Sequence, residues 1–573
     1  MFRRLGSWLF VGILPLVAFP VDSSAANVAS KSRPNIILIT LDSTRADHMG
    51  FMGARGNLTP SLDAIAHQGM VFAQAYAQAP DTVASNATVL TGTYPQSHRA
   101  SELSVPLTPK LPYLPDLLHV NGYSTAAFVG SILLDPRNGP FQDYDRGFDS
   151  YDAGFHEAQR GQSRFQSVER HGDQVVAHAT KWLAANTRRP FFLWLNLADD
   201  PYAVSYDRSV AAVDAVVGKL VASLRNQSLY DDALIVMASS YGESLGAHAE
   251  DTHGIFLYDE TIHVALVVKL PKNQFAGKQV KNRARLLDIA PTVLAEAGIA
   301  VPAQMQGQSL LRIALATSQS DQPAYARSEL PQQGFGCSVI ESWRAGKYLY
   351  IRAPKPELYD LSLDPNATHN LVQNAKATLD TMASQLQALD SHLTTEAGKS
   401  AESGLTSSEM QKLASLGYVG LQKGGAGVKA ATEGSDPKDI IAAVNKTLAA
   451  ISELDDGKPE KALPWLRQVL ASLPNTYLAQ YGAGVASVMQ QQYPEAIAYL
   501  HKAIELQPNS AWAHYQMGLS LMKTGDFKTA AVHLEIASGR LPEFAGLHSL
   551  LAEAYERLGR NSEAAGERAK ASH

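Results

Sequence analysis

Residues 443 to 573 repeat with a period of 34 residues, and this repeat constrains the fold more than any other feature of the chain. Three prolines mark the period, and small residues recur in the same register: Pro474, Pro508 and Pro542; Gly484 and Gly518; Ala462, Ala496, Ala530 and Ala564; Ala503 and Ala537. Small residues are needed where two helices approach closely, and a proline ends the second helix of a pair. An ordinary helical bundle gives no reason for such spacing. The pattern predicts a right-handed solenoid of about three and a half helix pairs.

The preceding part of the chain alternates strand patterns with helix patterns. Residues 34 to 41 form a continuous apolar run that ends at Asp42, which is typical of a parallel strand buried on both faces. Similar runs cover residues 124–129, 190–197, 233–238 and 264–270, and helix patterns cover residues 59–68 and 210–224. This alternation predicts a large, mostly parallel sheet with helices on both faces. Sites in such sheets form at the carboxyl ends of the strands, where Asp42 and the stretch from Ser239 to Glu243 lie.

The composition fits at least two folded domains and limits the partners. A chain of 573 residues exceeds what one hydrophobic core usually organises, and 45% apolar with 18% charged residues suit a globular protein. The net charge of −6 argues against nucleic acid as a partner, since nucleic-acid-binding domains are usually basic. Cys337 is the only cysteine, which excludes an intrachain disulfide and a cysteine-rich metal site. Any metal would need oxygen and imidazole ligands.

The first 26 residues have the pattern of an export signal. Arg3 and Arg4 precede an apolar run from Trp8 to Val21, and small residues follow up to Ala26. The alternative is a membrane anchor, but the run is shorter than the roughly 20 residues of a spanning helix and contains prolines. We therefore expect an exported protein, periplasmic or extracellular, with membrane anchoring through this segment as the alternative. Residues 421 to 437 are rich in Gly, Ala and Lys without periodicity, which indicates a linker.

Seven short segments of the first part carry a family resemblance. They are Pro34-Asn35-Ile36 leading to Asp42, Arg45 to Gly50, Thr59 to Asp63, Leu90 to Pro95, Asp288 to Thr292, Glu357 to Leu361 and Leu413 to Tyr418. Together they resemble the sulfatase family of the alkaline phosphatase superfamily, and the 34-residue repeat is the tetratricopeptide signature. The chain looks most like bacterial sulfatase-like proteins with tetratricopeptide tails. The resemblance implies a sulfatase-like α/β domain over residues 34 to 420, followed by an all-α repeat solenoid over residues 443 to 573.

The resemblance implies a metal site for sulfate or phosphate ester hydrolysis, and this chain departs from the family's pattern there. Family members bind a divalent cation with acids after the first strand and with an Asp-His or Asp-Asn pair in a Ser-Asp-His-Gly-Glu segment. Asp42 is retained, but Ser43, Ser240 and Tyr241 stand at the other ligand positions. A hard cation takes about six oxygen ligands, of which carboxylates supply most of the charge. We therefore expect no cofactor, and a calcium-type divalent cation only if the site is active.

The nucleophile segment differs as well. Thr82 falls where the family has a Cys or Ser that is oxidised to formylglycine, so formylglycine is not expected. Asn86 replaces the family's Arg or His. The family's histidines around Asp199 and Pro201 are missing, while His253 is retained. A threonine hydroxyl needs an adjacent base, and His253 is the candidate for that role.

Each of these residues also has a structural interpretation. Asp42 could hydrogen-bond local amides, Thr82 could be the N-cap of a helix, and His253 could be a hydrogen-bonded structural histidine. Tyr241 is expected to fill the space of the lost metal and imidazole. Four further residues are interpreted as structural: Asp47, His48, His98 and His248.

Two functions follow from these residues. The first is a pseudoenzyme with a degraded metal and catalytic site, which binds or scaffolds a protein or peptide partner through its repeats. The second is a sulfuric or phosphoric ester hydrolase with Thr82 as nucleophile. The first explains several losses at one site beside intact scaffold segments, and it is the preferred hypothesis. Both allow an anionic sulfate or phosphate ester ligand, and both predict that Asp42, Thr82 and Ser240 meet at the carboxyl edge of the sheet.

Overall fold

The structure, a computed structural model, describes most of the chain from residue 33 onward. The described residues are 33–100, 107, 110–136, 143–153, 170–186, 190–198, 205–316, 322–396, 434–542 and 544–571. The predicted export signal lies outside these ranges, as do residues 397–433, which hold most of the predicted linker, and Asp199 and Pro201. Within the described ranges, no helix is long and apolar enough to cross a membrane.

A large sheet organises the first part of the chain. The strands are β1 (Ile36–Leu41), β2 (Met70–Phe72), β3 (Ala75–Tyr76), β4 (Ser124–Val129), β5 (Ser150–Asp152), β6 (Phe191–Leu197), β7 (Leu234–Ser239), β8 (His263–Val264), β9 (Leu266–Lys269), β10 (Lys278–Val280), β11 (Ala284–Arg285), β12 (Ala324–Ser328), β13 (Ile340–Ala345), β14 (Tyr348–Arg352) and β15 (Glu357–Asp360). Eight of them form one sheet in the order β10-β2-β9-β7-β1-β6-β4-β5. Neighbours are parallel except at β9, which is antiparallel to β2 and β7. The predicted large, mostly parallel sheet is confirmed.

Strand β1 lies at the centre of this sheet, between β6 and β7. All its residues are buried, and successive side chains point to opposite faces. Ile36 and Leu38 belong to the core on one face, while Ile37 and Ile39 belong to the core on the other. A strand with two buried faces explains the unbroken apolar run in the sequence.

Helices cover both faces of the large sheet. They are α1 (Pro60–His67), α2 (Thr82–Thr91), α3 (Pro95–His98), α4 (Leu114–Val120), α5 (Gly172–Ala185), α6 (Tyr206–Asn226), α7 (Asp259–Ile262), α8 (Ile289–Glu296), α9 (Leu310–Leu315), α10 (Leu330–Phe335) and α11 (Lys376–Glu396). Helices α2, α4, α8 and α9 pack in one core, and α1, α5 and α6 pack in the other. A smaller antiparallel sheet, β12-β13-β14-β15, packs against α11.

The C-terminal part consists of paired helices. They are α12 (Ile441–Asp455), α13 (Pro459–Ser472), α14 (Tyr477–Met489), α15 (Tyr493–Leu506), α16 (Ala511–Thr524), α17 (Phe527–Ser538), α18 (Ala545–Arg557) and α19 (Asn561–Ala571). The expectation of three and a half pairs is too low, because α19 completes a fourth pair. Gly484 and Gly518 lie where paired helices touch: an added Cβ would come within 2.6 Å of Leu500 and Leu534, respectively. The recurring small residues therefore mark helix contacts, as predicted.

A polar contact recurs with the same period at the start of three pairs. The first helix of each pair carries a Gln or His whose side-chain N–H donates to the carbonyl of the proline six residues earlier, at 2.7 to 2.9 Å. These contacts join Gln480 to Pro474, His514 to Pro508 and His548 to Pro542. The contact ties the turn between consecutive pairs to the following helix, which explains why proline and its partner share one register.

Candidate functional site

Adjacent strands of the large sheet end at the candidate site. Asp42 follows β1, and its amide donates to the Leu197 carbonyl of β6 at 3.0 Å. Ser240 follows β7, and its amide donates to the Leu41 carbonyl of β1 at 2.9 Å. Because β6, β1 and β7 are adjacent and parallel, their carboxyl ends meet at one edge. The structure brings Asp42 and Ser240 together at that edge.

The Asp42 carboxylate is buried and accepts hydrogen bonds from neutral side chains. The Ser240 hydroxyl donates to Asp42 Oδ1, and Asn86 Nδ2 donates to the same oxygen at 3.3 Å. Asp42 Oδ2 and Asn86 Oδ1 have no hydrogen-bond partner among the described residues. Burial raises the pKa of Asp42, although the hydrogen bonds from Ser240 and Asn86 oppose the rise. Asp42 therefore bonds to side chains rather than to local amides.

Helix α2 carries Thr82 and Asn86 into the site. Its N-cap is Asp81, whose Oδ1 accepts a hydrogen bond from the Ala84 amide at 2.8 Å. The interpretation of Thr82 as the N-cap is therefore wrong: Thr82 is the first helical residue, and its hydroxyl shares a hydrogen bond with the Tyr241 hydroxyl at 2.9 Å. Asn86, one turn later, also donates to the Thr82 carbonyl at 2.8 Å. Burial raises the pKa of Asp81 to about 6.

The phenol of Tyr241 joins the loop after β1 to helix α2. Its hydroxyl bonds to Thr82 and accepts a hydrogen bond from Ser43 Oγ at 3.2 Å. Only 3% of Tyr241 is exposed. Burial raises the pKa of Tyr241 well above its ordinary value, so the phenol stays neutral. Ser43 and Tyr241, two of the three residues that the resemblance places at ligand positions, are thus bonded to each other.

Replacing Tyr241 with phenylalanine tests this arrangement. We expect Tyr241→Phe to destabilise the protein by about 1 to 2 kcal/mol, because the ring stays packed while buried hydroxyls lose their partner. Urea denaturation of the full chain measures the change. Tyr499→Phe is the control, since the Tyr499 hydroxyl takes part in an exposed contact with Arg467 and its loss should cost less than about 0.5 kcal/mol. Equal effects in the two variants would contradict a buried hydrogen bond at Tyr241.

His253 lies beside Tyr241 and is paired with Glu243. Its Nδ1 lies 2.7 Å from Glu243 Oε2, and its ring centroid lies 4.6 Å from that of Tyr241. Burial acts to lower the pKa of His253, but the hydrogen bond and charge of Glu243 raise it above its ordinary value. Among the described residues, no hydrogen bond joins His253 to Thr82, which bonds to Tyr241 instead. The imidazole is held by a carboxylate, not by the threonine.

Two residues of the site, Asp81 and Asn196, were not identified from the sequence, and Glu243 was placed at a strand end but given no role. Asn196 lies near the carboxyl end of strand β6, next to β1, and its side chain acts to lower the pKa of Asp42. A polar residue in an otherwise apolar strand was the available signal. Glu243 belongs to the stretch that follows β7, but its pairing with His253 crosses ten residues of loop, and no periodicity indicates such a contact.

The four residues interpreted as structural each have a partner outside the Asp42 cluster. The pairs are Asp47 with Arg45, His48 with Asp207, His98 with Thr88, and His248 with Tyr258. His98 is fully buried, and burial lowers the pKa of His98 to about 3, so its ring is neutral. These contacts support the structural interpretation.

Family models match most of the described chain before residue 397 and part of the repeats. The sulfatase model matches residues 34–299, and the C-terminal model of N-sulphoglucosamine sulphohydrolase matches residues 253–392. Tetratricopeptide repeat models match residues 486–525 and 515–572. Together with the sheet and the paired helices, these matches define a sulfatase-like protein with C-terminal tetratricopeptide repeats.

Individual proteins are similar to parts of this chain. Arylsulfatase K of Mus musculus is 30% identical over 177 residues, which are 29% of this chain and 32% of that protein. The chain thus matches about a third of the length of this relative. The phosphonate monoester hydrolase of Agrobacterium radiobacter has a TM-score of 0.53 at 19% identity, over 63% of this chain and 96% of its own. A structure in complex with its substrate D-glucosamine-2-N,6-O-disulfate has a TM-score of 0.53 at 18% identity, over 64% of this chain and 100% of its own. These structural likenesses show the fold.

Proposed function

We propose that this protein is a sulfatase-like pseudoenzyme, whose degraded site no longer turns over esters and whose repeats bind a protein or peptide partner. The observation that carries the proposal is the hydrogen bond between the Thr82 and Tyr241 hydroxyls at 2.9 Å. Through this bond, the neutral phenol of Tyr241 contacts Thr82, the residue at the nucleophile position. An active site of this kind would need a cation and a base at that hydroxyl.

The donor set around Asp42 does not fit a calcium-type divalent cation. Such a cation takes six to eight oxygen ligands, and carboxylates supply the charge. Asp42 is the carboxylate at this position, and burial raises its pKa. Among the described residues, no group of three or more His, Cys, Asp or Glu side chains is arranged to hold a metal ion. Ser43, Ser240 and Tyr241 bond to protein atoms instead.

The alternative function, an ester hydrolase with Thr82 as nucleophile, lacks an activating contact. His253 is the candidate base, but its Nδ1 is paired with Glu243 and its pKa is raised, which favours the protonated form. Asn86 donates its side-chain N–H groups to Asp42 and to the Thr82 carbonyl. It is therefore engaged within the protein rather than aimed at a transferring group.

An anionic sulfate or phosphate ester ligand would meet a mixed environment. His253 offers a positive charge, but the carboxylates of Glu243, Glu250 and Asp81 act on the same ring. These carboxylates carry the same sign of charge as an anionic ligand, and like charges repel over such short distances. We expect weak binding that decreases further as pH rises and His253 loses its proton.

The repeats supply the surface for a partner in the exported compartment. Val485 and Leu519 recur 34 residues apart on the first helices of two consecutive pairs, and both stay partly exposed. Apolar residues of this kind suit contact with a partner helix or peptide. Leu519→Lys should abolish capture of a partner by the full chain, and the exposed substitution Lys523→Ala should not. Unchanged capture by both variants would count against this surface.

Turnover and metal binding test the proposal. We expect no detectable hydrolysis of aryl sulfate or aryl phosphate by the purified full chain, with or without calcium, magnesium, manganese or zinc. Losing one preorganised donor already costs on the order of 100-fold in rate, and here the cation and several donors are missing. The double variant Ser240→Asp with Tyr241→His should gain divalent-ion affinity relative to Ser240→Asp alone. A stoichiometric metal ion in the unmodified protein, with activity lost in Thr82→Ala, would establish the hydrolase instead.

A further inference from the structure

One segment of the first part, residues 244 to 256, contacts both the candidate site and the repeats. The first repeat helix, α12, reaches it through Asn445. Asn445 Nδ2 donates to the Ala249 carbonyl at 2.8 Å, and the Asp251 amide donates to Asn445 Oδ1 at 3.3 Å. A single amide side chain thus bonds to the backbone on both sides of residue 250.

The second repeat pair reaches the same segment through helix α10. At the end of β12, just before α10, the Ser328 hydroxyl donates to the Gly254 carbonyl at 2.6 Å. Leu330, the first residue of α10, packs so closely that a Cβ on Gly254 would lie 2.8 Å from it. At the other end, a Cβ on Gly334 would lie 2.6 Å from Leu478 of α14. Helix α10 therefore fills the space between Gly254 and the repeats.

Apolar packing joins the two parts as well. Val444 of α12 is fully buried and belongs to the same core cluster as Ile36 of β1. Ile441, Leu448 and Leu478 of the repeats pack against that cluster. The contact thus extends the hydrophobic core of the first part and is not merely a contact between the surfaces of two separate domains.

The segment held in this way carries side chains of the candidate site. His253 pairs with Glu243 at 2.7 Å and lies beside Tyr241. Glu250 is buried, and its carboxylate accepts hydrogen bonds from the Ser244 hydroxyl and the Ile255 amide, both at 2.8 Å. Glu250 therefore closes the segment into a loop whose outer side is bonded to Asn445.

We propose that the repeat region is a structural part of the candidate site, with Asn445 as the positioning residue that fixes the loop of residues 244 to 256 and, through it, His253. The inference goes beyond the proposed function and holds whether or not the site turns over an ester. It also means that removing the repeats would uncover core residues. Partner binding and site geometry must therefore be tested by point substitution in the full chain.

Hydrogen exchange of the full chain tests the role of Asn445. Asn445→Ala removes two hydrogen bonds to the loop, so the amides of residues 246 to 256 should exchange about tenfold faster, as expected for local opening. Asn445→Asp retains the acceptor for the Asp251 amide and should give an intermediate rate. Lys446→Ala is the matched control, because Lys446 bonds to Gln468 within the repeats and should leave the loop unchanged.

A second readout separates positioning from general stability. The imidazole resonances of His253, assigned by their loss in His253→Asn, should shift in Asn445→Ala and stay in place in Lys446→Ala. A shift that is partly restored in Asn445→Asp supports the proposal. If Asn445→Ala is folded and both the exchange of residues 246 to 256 and the His253 resonances match the unmodified chain, the proposal is overturned.

Discussion

Asp288→Ala is expected to lower the free energy of unfolding by about 3 to 5 kcal/mol. Asp288 is fully buried and accepts hydrogen bonds from the Arg285 guanidinium at 2.9 Å and from the Gln308 amide at 2.8 Å. Arg285 is itself 7% exposed and also donates to the Tyr94 hydroxyl at 3.2 Å. Removing Asp288 leaves a buried guanidinium without its counter-charge and the Arg285 and Gln308 amides without their acceptor, which is the costly way to break an ion pair.

Urea denaturation of the full chain measures this effect. Asp173→Ala is the matched control, because Asp173 forms an ion pair with Lys219 whose side chains are 60% and 62% exposed, and its loss should cost less than about 1 kcal/mol. Asp288→Asn keeps an acceptor oxygen and should lie between the two. If Asp288→Ala unfolds at the same urea concentration as Asp173→Ala, the buried pair does not stabilise this domain.

The same residues show that two of the segments that resemble the family have a structural role. Asp288 opens the segment that ends at Thr292, and through Arg285 it bonds to Tyr94 in the segment from Leu90 to Pro95. These two segments are therefore linked by a buried charge rather than by catalysis. This link involves neither Ser240 nor Tyr241, so it does not depend on which residues stand at those two positions.

The fold could be predicted where a local sequence pattern determines whether a residue is buried and which element it packs against. Strand β1 is apolar throughout because both its faces are buried, and the ends of neighbouring parallel strands must meet, so the proximity of Asp42 and Ser240 could be anticipated. The glycines at positions 484 and 518 could be placed at helix contacts because only a 34-residue period explains them.

The remaining features depend on contacts between residues far apart in the chain. Asp81 and Thr82 are both acceptable N-caps, and only the position of Tyr241, 159 residues from Thr82, decides that Thr82 turns to the phenol. The bond from Asn445 to Ala249 spans 196 residues and follows no pattern. Asn445 is a polar residue on a repeat helix, and nothing in the sequence around it indicates a contact with another domain.

Glu250 should make the protein less stable as pH rises towards neutrality. Burial raises the pKa of Glu250 to about 7 from its ordinary value of 4.5, and hydrogen bonds from Ser244, Ile255 and Phe256 only partly oppose this rise. The folded state therefore binds a proton that the unfolded state releases between about pH 4.5 and 7, so stability falls over that range and the full cost is present above it. A shift of this size corresponds to about 3 kcal/mol.

Glu250→Gln removes this cost. The glutamine oxygen can accept from the Ile255 amide while its N–H donates to the Ser244 hydroxyl, as a protonated carboxyl would. Urea denaturation at pH 4.5 and pH 8 should show the variant close to the unmodified protein at the lower pH and about 3 kcal/mol more stable at the higher one.

Asp81, whose pKa burial raises to about 6, still titrates in the variant, so a smaller pH slope should persist. Asp251→Asn, at the exposed neighbouring residue, should leave the pH profile unchanged. Parallel profiles for Glu250→Gln and the unmodified chain would mean that Glu250 is ionised at no cost, and that the loop beside His253 is open to water.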